Sequence, residues 1–524
     1  MSTVTALLAA RSAEDAPGLT FEGRTWTWRE LAGECAVRAH WLRGLRAADP
    51  ARPVHLGVLL DNVPEMLFLL GGAALSGTVL VALNTTRTPD RLAVDARTSD
   101  CDLILTEPGH LEAARAAGKE AGLEVVDYED GAYAAALAPH LGASAPEVPV
   151  DPGTLLMLIF TSGTSGDPRA VRITHRKVVV PGENLAGRLV NAADVVYSPM
   201  PLFHSGAIMA AVAPALAAGA HIVLRRRFSA SGLLPDLREH GVTYMHYVGK
   251  ALSYALMATP EKVDNPLRFA FGNEAAPAEQ AAFAERYGCH VIDAYGSTET
   301  AISFSPDPFG PPGALGKLGE GVAILDPETG APCPPGVSGE LVATTGMGLF
   351  DGYYRDDAPE RTRQGMFWSG DHAYADENGY VFFVGRALDR LRVDGENFGA
   401  AEVERALGEL PSPFAVYGVP DTASGDQVML AVTGEFDPEA FAALAERLNP
   451  KWVPRFVRVC REFPLTASNK IVKRSLAAEA WLTADPVWYR PGRGTAYRPL
   501  TPDDVTALRA ELARTGRSHL LEGR

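Results

Sequence analysis

One recurring unit limits what this chain can fold into. A short apolar run, a turn, a helix-forming stretch and a second apolar run follow one another repeatedly. Val54-His-Leu-Gly-Val-Leu-Leu precedes a helix signal opening at Pro64, and Val79-Leu-Val-Ala-Leu follows it. Cys101-Asp-Leu-Ile-Leu-Thr, a helical stretch from Leu111 to Ala121 and Glu124-Val-Val-Asp repeat the pattern. Short apolar runs alternating with helices are the signature of parallel strands joined by crossovers, that is, an α/β fold. A hairpin at residues 20–32 and a helix starting near Arg29 stand ahead of them.

The alternation continues through Val195-Val-Tyr-Ser, an apolar helix, a strand ending at Leu224 and a helix from Ser229 to Glu239. Three further strands then end in polar or Gly-rich loops. Val242-Thr-Tyr-Met-His-Tyr-Val runs into Gly249, and Leu267–Phe271 into Gly272-Asn273-Glu274-Ala275-Ala276-Pro277. Val291-Ile-Asp-Ala-Tyr runs into Gly296-Ser297-Thr298-Glu299. Such strand ends are where open α/β sheets hold ligands. After Gly310 the chain changes to short strands and Pro/Gly turns, with a hairpin signal at Asp376-Glu-Asn-Gly379. Past Asp389 a small α+β unit is expected, with helices near 400–407 and 438–448, and a C-terminal tail from 481 to 524. A chain of 524 residues exceeds what one core fills, so two or more domains are expected.

Two uncharged or nearly uncharged stretches, Met66–Leu83 and Ser205–Leu224, reach the length of a membrane helix. Glycines interrupt both, and both close in a β-type run, so helix, turn and buried strand is the expected reading, with no membrane span. The net charge of −16 argues against a nucleic-acid partner. A polyanionic small ligand needs a local cationic site; Arg225-Arg226-Arg227 is one candidate, a solvated turn the alternative. The five cysteines are scattered without a CxxC pair, which argues against zinc or a disulfide framework. With no secretory signal evident, a cytoplasmic location is expected.

The chemistry gathers first at Leu155–Phe160, a strand-like run that leads into Thr161-Ser162-Gly163-Thr164-Ser165-Gly166. Glycine lets backbone approach a ligand closely, and consecutive N–H groups with hydroxyls make an anion site. Arg169, just beyond Pro168, adds a cation able to fork onto phosphate oxygens. The glycine-lysine-serine/threonine ending of a Walker loop is missing. Taken alone, the stretch also reads as a surface turn.

Together these motifs resemble the adenylate-forming superfamily of acyl-CoA synthetases, luciferases and adenylation domains. The resemblance spans roughly residues 20–480. Its carriers are Phe160–Val171 (phosphate loop), Pro201-Leu-Phe-His-Ser-Gly (aromatic/His motif) and Tyr295-Gly-Ser-Thr-Glu299 (adenine and magnesium motif). Ser369-Gly-Asp371 with Arg386 (ribose pair) and Leu465–Lys470 (loop of the C-terminal lysine) complete them. Arg227-Phe-Ser-Ala-Ser, Tyr247-Val-Gly-Lys, Gly272-Asn-Glu and Asp394-Gly-Glu-Asn-Phe are most similar to fatty-acid and very-long-chain acyl-CoA synthetases of actinobacterial type.

The resemblance implies a large N-terminal domain (1–385) of parallel and mixed sheets with a distorted β-barrel part. A hinge (386–389) and a small, mobile α+β domain (390–480) follow. It also implies ATP, Mg²⁺ and coenzyme A, and a hydrophobic carboxylic acid converted to an acyl-adenylate and then to a thioester. Thr161, Ser162, Gly163, Thr164, Ser165 and Gly166 would hold the β- and γ-phosphates, helped by Arg169. Thr298 would bind the α-phosphate and Glu299 Mg²⁺. Tyr295 would stack on adenine against Gly272, Asn273, Glu274 and Ala275, with Gly296 and Ser297 also binding the nucleotide. Asp371 and Arg386 would hold the ribose, and Lys470 would bridge carboxylate and α-phosphate. His204, Gly206, Met209, Val248, Gly249 and Gly395 would line the acyl and CoA passage. On its own each has a structural reading: Tyr295 a core aromatic, His204 a packed histidine, Lys470 a solvated lysine.

Arg169 replaces the family's usual lysine, Leu388 its usual hinge residue, and Asn469 the glycine before the catalytic lysine. All three bear on ATP handling or domain motion. A ligase specialised for thioesterification of a preformed acyl-adenylate is therefore the alternative to a complete synthetase. A carrier-protein thiol in place of CoA, a homodimer, and a binding-only relative that senses acyl-adenylate or acyl-CoA remain open at this stage.

Overall fold

The computed structural model describes residues 2–521 apart from 162–168, 249–250, 274, 276, 305, 308–309, 312, 328, 346–347, 358–360, 387–389, 394–395, 409, 411, 423–425, 466–470, 493, 495 and 516. The chain divides into two compact units. The first is Met1–Pro308 with Ala343–Phe367, the second Phe309–Val342 with Trp368–Arg524.

Among the described residues, two sheets lie wholly within the first unit. One is six-stranded, in the order Glu124–Asp127, Leu103–Thr106, His55–Leu59, Val79–Ala82, Leu155–Thr161, Arg169–Thr174. Its pairs are parallel except the last. The other is seven-stranded: His290–Asp293, Phe269–Asn273, Tyr244–Val248, Val195–Ser198, His221–Leu224, Pro17–Phe21, Arg24–Thr27. It too is parallel until its final pair, the N-terminal hairpin, which turns at Glu22 (φ 45°) and Gly23 (φ 82°). The helix after that hairpin, Trp28–Gly44, starts where a helix is expected. Thr27 and Glu30 form a reciprocal capping box that satisfies two of its first donors.

Both membrane-length stretches resolve as expected. Pro64 opens the helix Pro64–Ser76, Gly77 ends it in the left-handed conformation (φ 73°), and the buried strand Val79–Ala82 follows. Likewise Ser205–Ala218 is capped by Gly219 (φ 74°) and leads into His221–Leu224. Among the described residues no helix is long and apolar enough to cross a membrane. The second helix has a π-helical turn at Ile208–Val212. Pro214 lacks the N–H that would bond Ala210 O, and Tyr244 Oη donates to that carbonyl instead at 2.7 Å.

The second unit is α+β. Phe414–Pro420, Asp426–Thr433, Phe456–Cys460, Val487–Tyr489 and Arg498–Pro499 form one sheet in that order. Alternate residues feed two cores. Val416, Leu430 and Val457 pack with Leu391 and Phe398, while Tyr417, Met429 and Phe456 pack with Trp481, Tyr489 and Leu512. The segment 481–524, expected as a tail, thus supplies two strands, the helix Pro502–Arg514 and part of a core. The part expected as a distorted β-barrel is a sheet with the path Ala314–Lys317, Tyr380–Arg386, Met366–Ala375, Gly339–Ala343, Val322–Leu325. It does not close among the described residues, so the barrel gives way to an open sheet.

Candidate active site

The Ser/Thr/Gly stretch joins two antiparallel strands, with Thr161 directly opposite Arg169. Thr161 and Arg169 therefore face each other at the two ends of the stretch. Ser162, Gly163, Thr164, Ser165 and Gly166 lie outside the described residues. A second segment is stitched along the hairpin: Arg172 N donates to Gly352 O at 3.1 Å and Tyr354 N to Ala170 O at 2.8 Å. It brings Tyr353 and Asp356 beside Arg169. Arg169 Nε lies 2.7 Å from Asp356 Oδ2, with the guanidinium 5.4 Å from the Tyr353 ring.

Tyr353 Oη in turn donates to Glu299 Oε1 at 2.9 Å. Burial, with the Glu299 charge adding to it, pushes the Tyr353 phenol up, so it stays a donor at neutral pH. Behind it Lys177 Nζ donates to Glu299 O at 2.9 Å, and the Thr300 hydroxyl donates to the same carbonyl at 2.7 Å. Lys177 has no exposed surface, and burial pushes its ammonium down to about 8 against the pull of Glu299 and Asp351. Next to Glu299, the Thr298 and Ser205 hydroxyls meet at 3.0 Å, which joins the Tyr-Gly-Ser-Thr-Glu motif to the aromatic/His motif.

The expected adenine wall begins at the end of the strand Phe269–Asn273, between two neighbouring strand ends. Val248 is paired with Asn273, and Gly272 with Asp293. Gly272 is required here, because a Cβ would lie 2.1 Å from Tyr247 O. Asp293 Oδ2 ties the ends together, accepting from Tyr247 Oη at 2.8 Å and from Ala275 N at 3.0 Å. Tyr295 is half-buried with its ring edge-on to Phe304 at 5.5 Å, so it is not a core aromatic; Gly296 is exposed and Ser297 half-buried. On the passage side, His204 packs beside Phe203 (4.6 Å between rings) and Met209 is buried in the π turn. Gly206 approaches His246 so closely that a Cβ would stand 2.9 Å from its Nε2.

In the second unit Asp371 is nearly buried, and its strand sets it opposite Arg386. The expected ribose pair are therefore cross-strand neighbours. Gly249, Glu274, Leu388, Asp389, Gly395, Asn469 and Lys470 lie outside the described residues. Two of the three arginines in the run are engaged, Arg225 with Asp236 and Arg226 with Glu107 at 2.6 Å, while Arg227 is exposed. Sequence reasoning passed over Lys177, Tyr353 and Asp356. Lys177 lies in His175-Arg176-Lys177 at a helix start, where a lysine ordinarily faces water, and the only signal for Tyr353 was its aromatic neighbour Tyr354.

The family model of the AMP-binding enzyme matches residues 8–354. The medium/long-chain-fatty-acid–CoA ligase FadD17 of Mycobacterium tuberculosis is 45% identical over 501 residues, 93% of this chain and 98% of the relative. Steroid-22-oyl-CoA synthetase of Rhodococcus jostii is 42% identical and covers 99% of both. Among solved structures, the anthranilate CoA ligase AuaEII in complex with anthranoyl-AMP superposes with a TM-score of 0.81 at 20% identity. That match covers 92% of this chain and 98% of that one, and shows the shared fold. The chain belongs to the AMP-binding enzyme family, among its acyl-CoA ligases.

Proposed function

We propose that the chain activates a medium-to-long or bulky hydrophobic carboxylic acid with ATP and transfers the acyl group to coenzyme A in the cytoplasm. The relatives named for fatty acids and for a steroid acid support that substrate class. The observation that carries the reading is the link from Arg169 through Tyr353 to Glu299. It makes one patch of cation, phenol and carboxylate from segments far apart in sequence.

In the first half-reaction the acid's carboxylate attacks the α-phosphate and displaces pyrophosphate, so two anions must approach. Preorganised donors and cations lower that barrier most. Thr161 to Gly166 with Arg169 would hold the β- and γ-phosphates, and Thr298 the α-phosphate. Lys470 would bridge the two reacting groups as a point charge. Glu299 would hold Mg²⁺: an oxygen donor oriented by a phenol suits a hard cation, which when bound offsets phosphate charge. Tyr295 would stack on adenine, Gly272, Asn273, Glu274 and Ala275 would form the facing wall, and Asp371 with Arg386 would clamp the ribose. In the second half, residues 386–389 would act as a hinge that presents Gly395 to the CoA passage. His204, Gly206, Met209, Val248 and Gly249 would line that passage.

Two assays on one preparation test this. The first is ATP–pyrophosphate exchange with a panel of fatty and polycyclic acids; the second is thioester formation from synthetic acyl-adenylates and CoA. Exchange with at least one acid, together with thioester, is expected. Thioester without any exchange would overturn the complete synthetase and leave a thioesterification enzyme.

A further inference from the structure

A lysine with no exposed surface is rare, because desolvating an ammonium costs several kcal/mol unless it is compensated. Lys177 lies in the first turns of the helix His175–Ala186, directly after the hairpin strand Arg169–Thr174. Its compensation is specific. Nζ donates to Glu299 O at 2.9 Å, the Phe350 ring lies 5.5 Å away, and the Glu299 and Asp351 carboxylates attract it. Asp351 is itself fixed, accepting from Thr174 Oγ1 at 2.6 Å and pairing with Arg176.

The carbonyl that Lys177 holds lies in the turn that Thr300 N closes on Ser297 O at 3.0 Å, next to a strained residue. Thr300 has φ 53°, which a β-branched residue rarely adopts, and its own hydroxyl bonds the same carbonyl. Strain of this kind persists only where surrounding contacts over-determine it. Here the contacts are Lys177 and Thr300 on Glu299 O, Leu349 N on Thr300 O at 3.2 Å, and Tyr353 on the Glu299 carboxylate. Packing alone would not select lysine, since an apolar side chain of similar volume fills a buried site at lower cost.

We propose that Lys177 is a positioning residue for the adenylation half-reaction: its buried ammonium sets the Glu299–Thr300 turn and so aims the Glu299 carboxylate. The inference rests on the reading of Glu299 above and adds a residue to it. Lys177 touches neither substrate in this scheme and acts through Glu299.

The test compares Lys177→Met, Lys177→Gln and Glu299→Gln with the parent chain in both half-reactions and in thermal melting. A displacement of about 1 Å in a reacting constellation costs about 10²-fold. Exchange should accordingly fall about 10- to 100-fold in Lys177→Met, through kcat rather than the KM for the acid. Thioester formation from supplied acyl-adenylate should stay within about threefold, and the melting temperature should hold or rise. Lys177→Gln, which keeps an N–H donor, should recover part of the exchange. Loss of both half-reactions together, or a variant that fails to fold, would make Lys177 a packing residue and overturn the proposal. So would undiminished exchange in Lys177→Met while Glu299→Gln has lost it. Undiminished exchange in Glu299→Gln would instead overturn the reading of Glu299 itself, and the proposal with it.

Discussion

His175 is buried at the start of a helix, where its Nδ1 accepts from Val4 N at 3.2 Å. Burial pushes its imidazolium down to about 4, with Asp151 pulling weakly the other way. The unfolded chain therefore binds more protons than the folded one between about pH 6.5 and 4, and stability falls as pH falls through that window. At about 1.4 kcal/mol per unit, the loss attributable to His175 approaches about 3 kcal/mol. His175→Asn keeps an acceptor for Val4 N without the titration. Urea unfolding at a series of pH values should show a shallower acid decline in the variant. Equal slopes would assign the decline to other groups, such as His246, which burial also pushes down to about 4. The residue types were plain in the sequence, but their charge states were not, because desolvation is set by neighbours distant along the chain.

At the scale of elements, the strand ends that carry the expected adenine wall leave no spare space. A Cβ on Gly272 would overlap Tyr247 O of the paired strand. Backbone, unlike a flexible side chain, cannot move aside locally. Gly272→Ala should cost at least about 2 kcal/mol in denaturant unfolding and raise the KM for ATP. A silent substitution would show that the strands part freely there. Most of these elements were legible: Glu124–Asp127 matches its expected bounds, and the helices at Pro64 and Leu111 start where expected. The π turn was not legible, and the donor that replaces the missing Pro214 N–H on Ala210 O is Tyr244, on a strand distant in the chain.

For the molecule as a whole, the C-terminal segment decides whether the second unit can stand. Trp481, Val487, Tyr489 and Leu512 belong to one buried cluster with Phe456, and the buried Arg458 is paired with Glu479 and Asp485. Ending the chain after residue 480 would open that cluster and leave Arg458 without Asp485. Large deletions of this kind unfold rather than trim. The truncated chain should lose its second unit to proteolysis or aggregation; a truncation that melts like the parent would show the segment to be dispensable. The sequence suggested a tail here because its strands are only two or three residues long, set among prolines and arginines, with too few alternations to register as β.

The linear order of residues was enough for the α/β alternation, the glycine turns that end both membrane-length helices, and the family to which the motifs belong. These depend on local periodicity, on backbone conformations open to few residues, and on motifs contiguous in the chain. Only the tertiary structure decided which side chains serve those motifs. Tyr353 reaches Glu299 across 54 positions and Lys177 across 122. Such partners are chosen by the space and desolvation that packed elements create, and neither exists until the chain has folded.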